Sequence, residues 1–232
     1  MSTTPIAIVT GANRGIGRQV TADLAARGFI VIAGARDPAA ITPHAQVIPV
    51  RLDVNSDDDA RAVAELAQSR GGCDLLVNNA GIFPRRHDGG HSESALDVEI
   101  AQMRDAFETN TLGPLRLTQA LQGALRARRG AVVNVSSGMG QLTEMGGGSL
   151  PYRTSKTALH AVTIGCARAF GGNGVVVNAV CPGWVRTDMG GEEAPRALAQ
   201  GSASVVAAAF LDKAKDDRPT GRLYRDGAQL PW

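Results

Sequence analysis

Residues 10 to 17 read TGANRGIG, three glycines in eight positions, between the apolar run IAIV (6–9) and a stretch with helical character. A glycine-rich turn between a first strand and a first helix lets the backbone approach a pyrophosphate, and the helix N-terminus supplies unpaired N–H groups. Gly11, Gly15 and Gly17 fit this role. Their spacing, G-x-x-x-G-x-G, differs from the dinucleotide fingerprint G-x-G-x-x-G, so on this motif alone a plain tight turn stays open.

Apolar, β-branched runs recur along the chain and alternate with segments of helical character. The runs are IAIV (6–9), FIVI (29–32), VIPV (47–50), LLV (75–77), AVVNV (131–135) and VVVNAV (175–180). They are continuous, as in strands that are buried on both faces of a parallel sheet. One helix is predicted to begin after Ser56, with an acidic first turn, and to end at Gly71-Gly72. The pattern predicts one α/β domain over residues 1–232, a doubly wound parallel sheet with helices on both faces.

Composition and charge restrict the classes of function. A net charge of +2 and 20% charged residues, with no extended basic run, argue against a nucleic-acid or acidic partner. The opening MSTTPIAIVT has no basic n-region and no long apolar stretch, so we expect a cytoplasmic protein without membrane association. Three scattered cysteines without CxxC spacing predict neither a disulfide framework nor a metal site.

Three irregular stretches each follow a predicted strand, namely 84–94, 138–150 and 188–202. Ligands of open α/β sheets bind beyond the carboxyl ends of the strands, so we expect these stretches to build the substrate site. The last one, DMGGEEAPRALAQGS, has little apolar surface with which to order itself. We therefore predict that it forms a lid that closes over bound substrate.

The end of the second predicted strand bears on the choice of nucleotide. An acid at this point would hold the ribose 2′-hydroxyl of NAD, but the chain has Ala35 followed by Arg36. The guanidinium groups of Arg36 and Arg14 would instead attract a 2′-phosphate, which predicts NADP(H). Two alternatives stay open: both arginines are solvated surface charges, or Asp37 holds the ribose of NAD. Asp37-Pro38 is, however, more typical of the start of a turn.

Further motifs follow the glycine loop in a fixed order. They are NNAG (78–81), Asn110 in a helical stretch, NVSS (134–137), YRTSK (152–156), PGWVRT (182–187) and the closing GRLYRDGAQLPW. Together they resemble the short-chain dehydrogenase/reductase family, and most closely its carbonyl-reductase-like members, over essentially the whole chain. The resemblance implies a Rossmann fold. It also implies an NADP(H)-dependent oxidoreductase that interconverts a carbonyl (aldehyde, ketone or quinone) and an alcohol.

The resemblance also implies roles for individual residues. The catalytic residues would be Asn110, Ser137, Tyr152 and Lys156. The cofactor would lie against Gly11, Asn13, Arg14, Gly15, Ile16 and Gly17 at its phosphates, Arg36 at the 2′-phosphate, Asp53 and Val54 at the adenine, Asn79, Ala80 and Gly81 at the adenosine ribose, and Pro182, Gly183, Val185 and Thr187 over the nicotinamide.

The sequence departs from the family at two points. The gap from Ser137 to Tyr152 is slightly longer than usual and contains Gly146-Gly147-Gly148, so we expect an unusual loop over the substrate. The large insertion that some monomeric carbonyl reductases carry before the tyrosine is absent, so their oligomeric state cannot be carried over.

Reduction of a ketone by hydride transfer leaves an alkoxide that needs a proton, and Tyr152 would be the general acid. Lys156 lies four residues further on, on the same helix face, where its charge is expected to lower the pKa of Tyr152 while it also donates to the nicotinamide ribose. Ser137 would polarise the carbonyl. Asn110 would hold a water that links Lys156 to solvent. By spacing alone Y-x-x-x-K would be an exposed helical pair, but NVSS and the glycine loop favour the catalytic interpretation.

Two further questions concern turnover and assembly. A regulator that senses NADP without turnover is the competing function, although a sensor has no need of Ser137, Tyr152 and Lys156. Small residues recur on one face of the helix after Tyr152, namely Ala158, Ala161, Gly165 and Ala169. This face permits close approach of another helix, and in the family that the sequence resembles the corresponding helix commonly joins protomers, which implies a homodimer or homotetramer. Burial against the protein's own sheet is the alternative. The substrate is a small molecule that the fold does not identify.

Overall fold

One eight-stranded sheet forms the centre of the computed structural model, which describes residues 4–84, 95–211 and 218–232. The strands are β1 (Ile6–Thr10), β2 (Ile30–Ala35), β3 (Val47–Arg51), β4 (Leu75–Asn78), β5 (Ala131–Val135), β6 (Val176–Val180), β7 (Leu223–Arg225) and β8 (Ala228–Leu230). They lie in the order β3-β2-β1-β4-β5-β6-β7-β8. All neighbours are parallel except β7 and β8. The strand order reverses at β1 and β4, which opens a crevice at their carboxyl ends.

Helices cover both faces of the sheet. They are α1 (Gly15–Ala26), α2 (Asp57–Ser69), α3 (Ile100–Phe107), α4 (Gly113–Ala120), α5 (Gln122–Arg128), α6 (Leu150–Ala169) and α7 (Leu198–Ala209), with a π-helical turn at Glu108–Leu112 and 3₁₀ turns at Pro38–Ala40 and Gly138–Gly140. Apolar residues of α1 and α7 pack on one face of the sheet. Those of α2, α4, α5 and α6 pack on the other. The predicted doubly wound α/β fold is confirmed.

Helix α2 shows how the local sequence specifies an element. The Ser56 hydroxyl accepts the N–H of Asp59 at 3.1 Å and caps the helix, whose acidic first turn favours the positive end of the helix dipole. Beyond the last turn, Gly71 and Gly72 take φ values of +90° and +124°, which residues with a side chain rarely adopt. The predicted start and end of this helix are confirmed.

The structure differs from the predictions made from the sequence at two places. The hairpin of β7 and β8 was not predicted, although its turn is Asp226-Gly227, a pair that favours the positive φ values of +52° and +80° found there. Residues 198–202, expected to belong to an irregular lid, form the first turn of α7, where Gly201 and Ser202 are buried. Residues 85–94, which make up most of the predicted 84–94 stretch, lie outside the described residues. Within the described part of the chain, no helix is long and apolar enough to cross a membrane.

Candidate active site

The glycine loop lies at the crevice between β1 and β4. Gly11 and Gly15 have φ values of +63° and +52°, which open the turn that leads into α1. A Cβ on Gly17 would overlap the carbonyl oxygen of Gly11 and the side-chain amide of Asn79. Helix α1 thus starts directly against the strand ends, with the free N–H groups of its first turn facing the crevice edge. A cradle of main chain and bare Cα atoms at a helix N-terminus fits a dinucleotide's phosphates.

Thr10 and Asn79 hold this loop in place. The Thr10 hydroxyl accepts the N–H groups of Asn79 (3.0 Å) and Ala80 (2.8 Å). The Asn79 amide donates to the carbonyl oxygens of Thr10 (2.8 Å) and Gly11 (3.3 Å). The NNAG motif and the glycine loop therefore form one hydrogen-bonded unit across β1 and β4. Sequence reasoning missed Thr10, whose signal was its place at the head of TGANRGIG.

The predicted 2′-phosphate side contains exposed arginines. Arg36 is exposed just beyond β2. Asp37 accepts the N–H of Ala39 at 3.0 Å and caps a 3₁₀ turn, so its expected place at the start of a turn is confirmed. Arg14, the residue before α1, forms a 2.9 Å ion pair with Asp188, the first residue of the stretch predicted to be a lid.

The predicted adenine side follows β3. Asp53 accepts the N–H of Asn55 at 3.0 Å, and its own N–H donates to Asp59 at 2.8 Å. Val54 is buried, and its carbonyl oxygen accepts a 2.7 Å hydrogen bond from Arg116. The Arg116 guanidinium also pairs with Asp57 and Glu108, which raises its pKa against the effect of desolvation. Sequence reasoning missed Arg116, whose partners come from two separate parts of the chain, residues 54–57 and Glu108.

Ser137, Tyr152 and Lys156 are brought together at the carboxyl end of β5. Ser137 follows this strand, while Tyr152 and Lys156 lie one turn apart in α6. Ser137 lies close enough to the Tyr152 hydroxyl to act on its pKa. The Lys156 ammonium donates to the carbonyl oxygen of Val135 at 2.9 Å and lies 5.6 Å from the centre of the Tyr152 ring.

Burial decides the charge states in this cluster. It raises the pKa of Tyr152 to about 12, although the nearby Ser137 acts in the opposite direction. Burial also lowers the pKa of Lys156 from 10.5 to about 8. The predicted lowering of the Tyr152 pKa is therefore wrong for this structure, because desolvation of the phenol is the largest cause of its shift. Tyr152 is a protonated phenol at neutral pH.

Asn110 lies in the π-helical turn between α3 and α4, and its side chain is engaged by protein partners. Its amide oxygen accepts the N–H of Ile82 at 2.8 Å, and its amide nitrogen donates to the carbonyl oxygen of Ile82 at 2.9 Å and to Ser155 at 3.0 Å. A Cβ on Gly81 would lie 3.1 Å from Asn110 Oδ1 and 3.6 Å from Lys156 Nζ. Asn110 thus fixes the chain beside Lys156, while the water that it was expected to hold stays a prediction.

The PGWVRT segment extends from β6 across to the glycine loop. Pro182 and Gly183 follow the strand after Cys181, with φ at Gly183 of +79°. Thr187 Cγ2 lies 3.5 Å from the place of a Cβ on Gly15. The predicted phosphate and nicotinamide sides of the cleft therefore face each other across a narrow gap.

Aromatic and apolar side chains stand near Tyr152 and at the surface of the surrounding loops. The ring of Phe83 lies 4.5 Å from that of Tyr152, centre to centre. Leu142, on the 138–150 stretch, and Trp184, in the PGWVRT segment, are large exposed apolar residues. Among the described residues, no group of three or more His, Cys, Asp or Glu side chains could hold a metal ion.

A buried pair behind Ser137 was not predicted. His160 Nε2 lies 2.8 Å from the hydroxyl of Ser136, and Trp232 covers the imidazole at 5.0 Å between ring centres. Burial and the nearby Lys156 lower the pKa of His160 to about 4, so the imidazole is neutral. The final residues of the chain thus support the end of β5.

A model of the short chain dehydrogenase family matches residues 5–197, most of the chain. The chain belongs to this family. It is 31% identical to the 3-oxoacyl-[acyl-carrier-protein] reductase FabG of Pseudomonas aeruginosa, over 96% of its own length and 91% of that relative.

Solved structures resemble the dehydrogenase over its whole length. Carbonyl reductase Sniffer of D. melanogaster superimposes with a TM-score of 0.87 at 26% identity, and both chains are covered completely. The NADPH-bound carbonyl reductase from chicken fatty liver gives a TM-score of 0.84 at 27% identity, again with both chains covered completely. The predicted resemblance to carbonyl-reductase-like members of the family is confirmed.

Proposed function

We propose that this dehydrogenase is an NADP(H)-dependent oxidoreductase that interconverts a carbonyl (an aldehyde, ketone or quinone) and the corresponding alcohol, with Tyr152 as general acid and base. One observation carries the proposal: a protonated tyrosine, a serine and a buried lysine meet at the strand ends beside a glycine cradle. A protein that only senses a nucleotide has no use for this cluster.

The residues of the chain divide the work of reduction. The cofactor supplies the hydride. Tyr152 donates its proton to the oxygen that becomes an alkoxide, and in the oxidation direction it accepts that proton back. Ser137, which lies near the Tyr152 hydroxyl, hydrogen-bonds the same oxygen and stabilises its developing charge. Lys156 would hold the nicotinamide ribose hydroxyls and keep a positive charge near the tyrosine.

The preference for NADP(H) over NAD(H) rests on the end of β2. Ala35 brings no carboxylate to this position, and the exposed Arg36 follows it. Asp37, the acid that could have held an NAD ribose, is engaged in capping a 3₁₀ turn. The local charge therefore favours a 2′-phosphate, and solved relatives with NADP bound add support.

The walls of the substrate site are part of the proposal. Arg153 ties the 138–150 stretch to α6, with hydrogen bonds to the carbonyl oxygens of Gly148 (3.0 Å) and Met139 (3.4 Å). This contact offers a physical reason why the longer gap before Tyr152 can be accommodated. Because Arg196 is bridged to Val185 and α7 begins at Leu198, the proposed lid is limited to 188–195.

The outer face of α6 supports assembly into a homodimer or homotetramer, which we expect to act in the cytoplasm. Ala161, Gly165 and Ala169 are exposed, so the alternative that this face packs on the protein's own sheet is wrong for these three residues. Small side chains allow helices to approach closely. Light scattering at micromolar concentration should give the mass of a dimer or tetramer, and a monomer would contradict this part of the proposal.

The reaction can be tested with a panel of aldehydes, quinones, ketones and ketoacyl thioesters in the presence of NADPH. Loss of absorbance at the reduced-nicotinamide band with at least one carbonyl is the expected result. Tight binding of NADPH without consumption by any member of the panel would favour the regulator that senses NADP. Failure to bind NADPH would contradict both functions.

A further inference from the structure

The PGWVRT segment, which is proposed to cover the nicotinamide, is hydrogen-bonded through its main chain to Arg196. The N–H of Arg196 donates to the carbonyl oxygen of Trp184 at 3.2 Å, and the Arg196 carbonyl oxygen accepts the N–H of Arg186 at 3.0 Å. These bonds form a parallel bridge between Val185 and Arg196. The main chain of Arg196 therefore holds the segment at a fixed position relative to the edge of the sheet.

The side chain of Arg196 continues this contact to the start of the segment. A Cβ on Gly183 would lie 2.5 Å from Arg196 Cδ, so the arginine stem packs directly against the bare glycine. The guanidinium then reaches Asp226 with two hydrogen bonds of 2.8 Å and 2.6 Å, and it also donates to the carbonyl oxygen of Gln200 at 3.3 Å. This pairing lowers the pKa of Asp226 and raises that of Arg196, so both groups are charged across the neutral range.

Asp226 is itself held at a fixed place. It occupies the turn between β7 and β8, and its N–H donates to the hydroxyl of Ser204 in α7 at 2.9 Å. Strand β7 pairs with β6, the strand from which the PGWVRT segment emerges. Arg196 is therefore connected to β6 in two ways. The chain leads to it from β6 through the PGWVRT segment, and its ion pair with Asp226 links it to β7, which pairs with β6.

The ion pair at the other end of the segment is of a different kind. Arg14 and Asp188 have side chains that are 66% and 74% exposed, whereas Arg196 and Asp226 are 23% and 51% exposed. Exposed pairs with a single contact are weak because water competes for both charges. The Arg196–Asp226 pair is bidentate and its arginine is shielded from water, so it fixes the relative positions of its two side chains far better than an exposed pair with a single contact.

We propose that Arg196 is a positioning residue that, through its paired contact with Asp226, holds residues 183–187 at the correct distance over the nicotinamide. This inference rests on the proposed function for the identity of the ligand. The anchoring of residues 183–187 by Arg196 concerns only residues of the chain and does not depend on the proposed function.

The test compares Arg196→Met, Arg196→Lys and Asp226→Asn with wild type. Arg61→Met is the matched control, because it removes an arginine from an exposed ion pair with Asp58 on α2. Amide hydrogen exchange of 184–187 is measured without nucleotide, NADPH affinity by the fluorescence of the bound nucleotide, and kcat and KM with the carbonyl from the panel. Thermal unfolding of each variant is recorded alongside.

We expect Arg196→Met and Asp226→Asn to speed exchange at 184–187 by about tenfold, since the main-chain bonds remain but lose their anchor. NADPH affinity and kcat should each fall by about tenfold, because small misplacements at a reacting centre are costly, while the carbonyl KM changes little. Arg196→Lys should recover part of each loss, and Arg61→Met should match wild type.

Unchanged exchange in Arg196→Met would overturn the inference, as would a lower melting temperature with normal NADPH affinity and kcat. So would an Arg196→Lys variant that is no better than Arg196→Met, because the charge pair would then not be the cause. If Arg196→Met fails to fold, Asp226→Asn decides on the same criteria. Wild type that does not bind NADPH would contradict the proposed function, while the exchange result would still decide the anchoring.

Discussion

The nucleotide cleft and the Tyr152 cluster share one edge of one sheet, but they are built from different atoms. The cleft is made of main chain, bare glycine Cα atoms and a helix N-terminus, held by Thr10 and Asn79. The cluster consists of Ser137 at the end of β5 and of Tyr152 and Lys156 on α6, and the pKa values of the tyrosine and the lysine are shifted by burial. Backbone shape is specified by short motifs, whereas electrostatic properties depend on everything that packs around a group. Changes in the cluster should therefore affect chemistry, and changes in the cleft should affect which nucleotide binds.

The largest effect should come from Tyr152→Phe. This change removes the proton donor and leaves the ring contact with Phe83 in place, so kcat should fall by about 10² or more with NADPH affinity nearly unchanged. Steady-state kinetics and a fluorescence titration measure the two quantities. The matched control is Tyr224→Phe in β7, the same chemical change at the other tyrosine of the chain, which should keep kcat within about twofold of wild type. Activity of Tyr152→Phe within a few-fold of wild type would contradict the assignment of Tyr152 as the proton donor.

In the cleft, the double variant Ala35→Asp with Arg36→Ser should reverse the nucleotide preference. A charge-assisted hydrogen bond contributes about 1.5–3 kcal/mol, so wild type should prefer NADPH over NADH by about one to two orders of magnitude in kcat/KM. The new carboxylate would repel a 2′-phosphate and accept from the ribose hydroxyl. Arg61→Ser, which removes an exposed arginine elsewhere, should leave the ratio unchanged. Equal use of NADH and NADPH by wild type would show that Arg36 does not select the nucleotide.

A smaller effect should appear as a pH dependence that links the two regions. The pKa of Lys156 is lowered to about 8. Its amine is therefore charged below about pH 8 and loses this charge as the pH rises through that value. A charged donor to the ribose hydroxyls binds more strongly than a neutral amine. NADPH affinity should therefore be greatest below about pH 8 and fall by a few-fold, at most about tenfold, towards about pH 9.5. Lys156→Met should bind more weakly and lose this step, and a step that persists in the variant would assign it to another group.

The fold and the glycine cradle could be predicted because their signals are local. Continuous apolar runs marked six strands, and Ser56 with its acidic first turn marked the start of α2. The hairpin at Asp226-Gly227 also had a local signal, but strands of three residues are too short to stand out as apolar runs. Residues 198–202, LAQGS, appeared irregular because they contain a glycine, a serine and a single large apolar side chain; their burial comes from packing of α7 on α1.

The electrostatics of the site could not be predicted in the same way. The spacing of Tyr152 and Lys156 placed both on one face of a helix, but it contained no information on how deeply that face is buried. Desolvation then reversed the expected shift of the Tyr152 pKa. His160 and Arg196 were missed for a related reason, since their partners Ser136, Trp232 and Asp226 are distant in sequence.

The central claim is that the cradle and the cluster act together in a hydride transfer completed by a proton from Tyr152. It is tested most directly by supplying NADPH that carries deuterium at the transferring C4 position and analysing the product by mass spectrometry. With an aldehyde or ketone as the substrate, the account predicts an alcohol with one deuterium on the carbinol carbon, formed in step with NADPH loss by wild type and slowed by about 10² or more in Tyr152→Phe. An alcohol without deuterium, or equal rates for the two proteins, would contradict it.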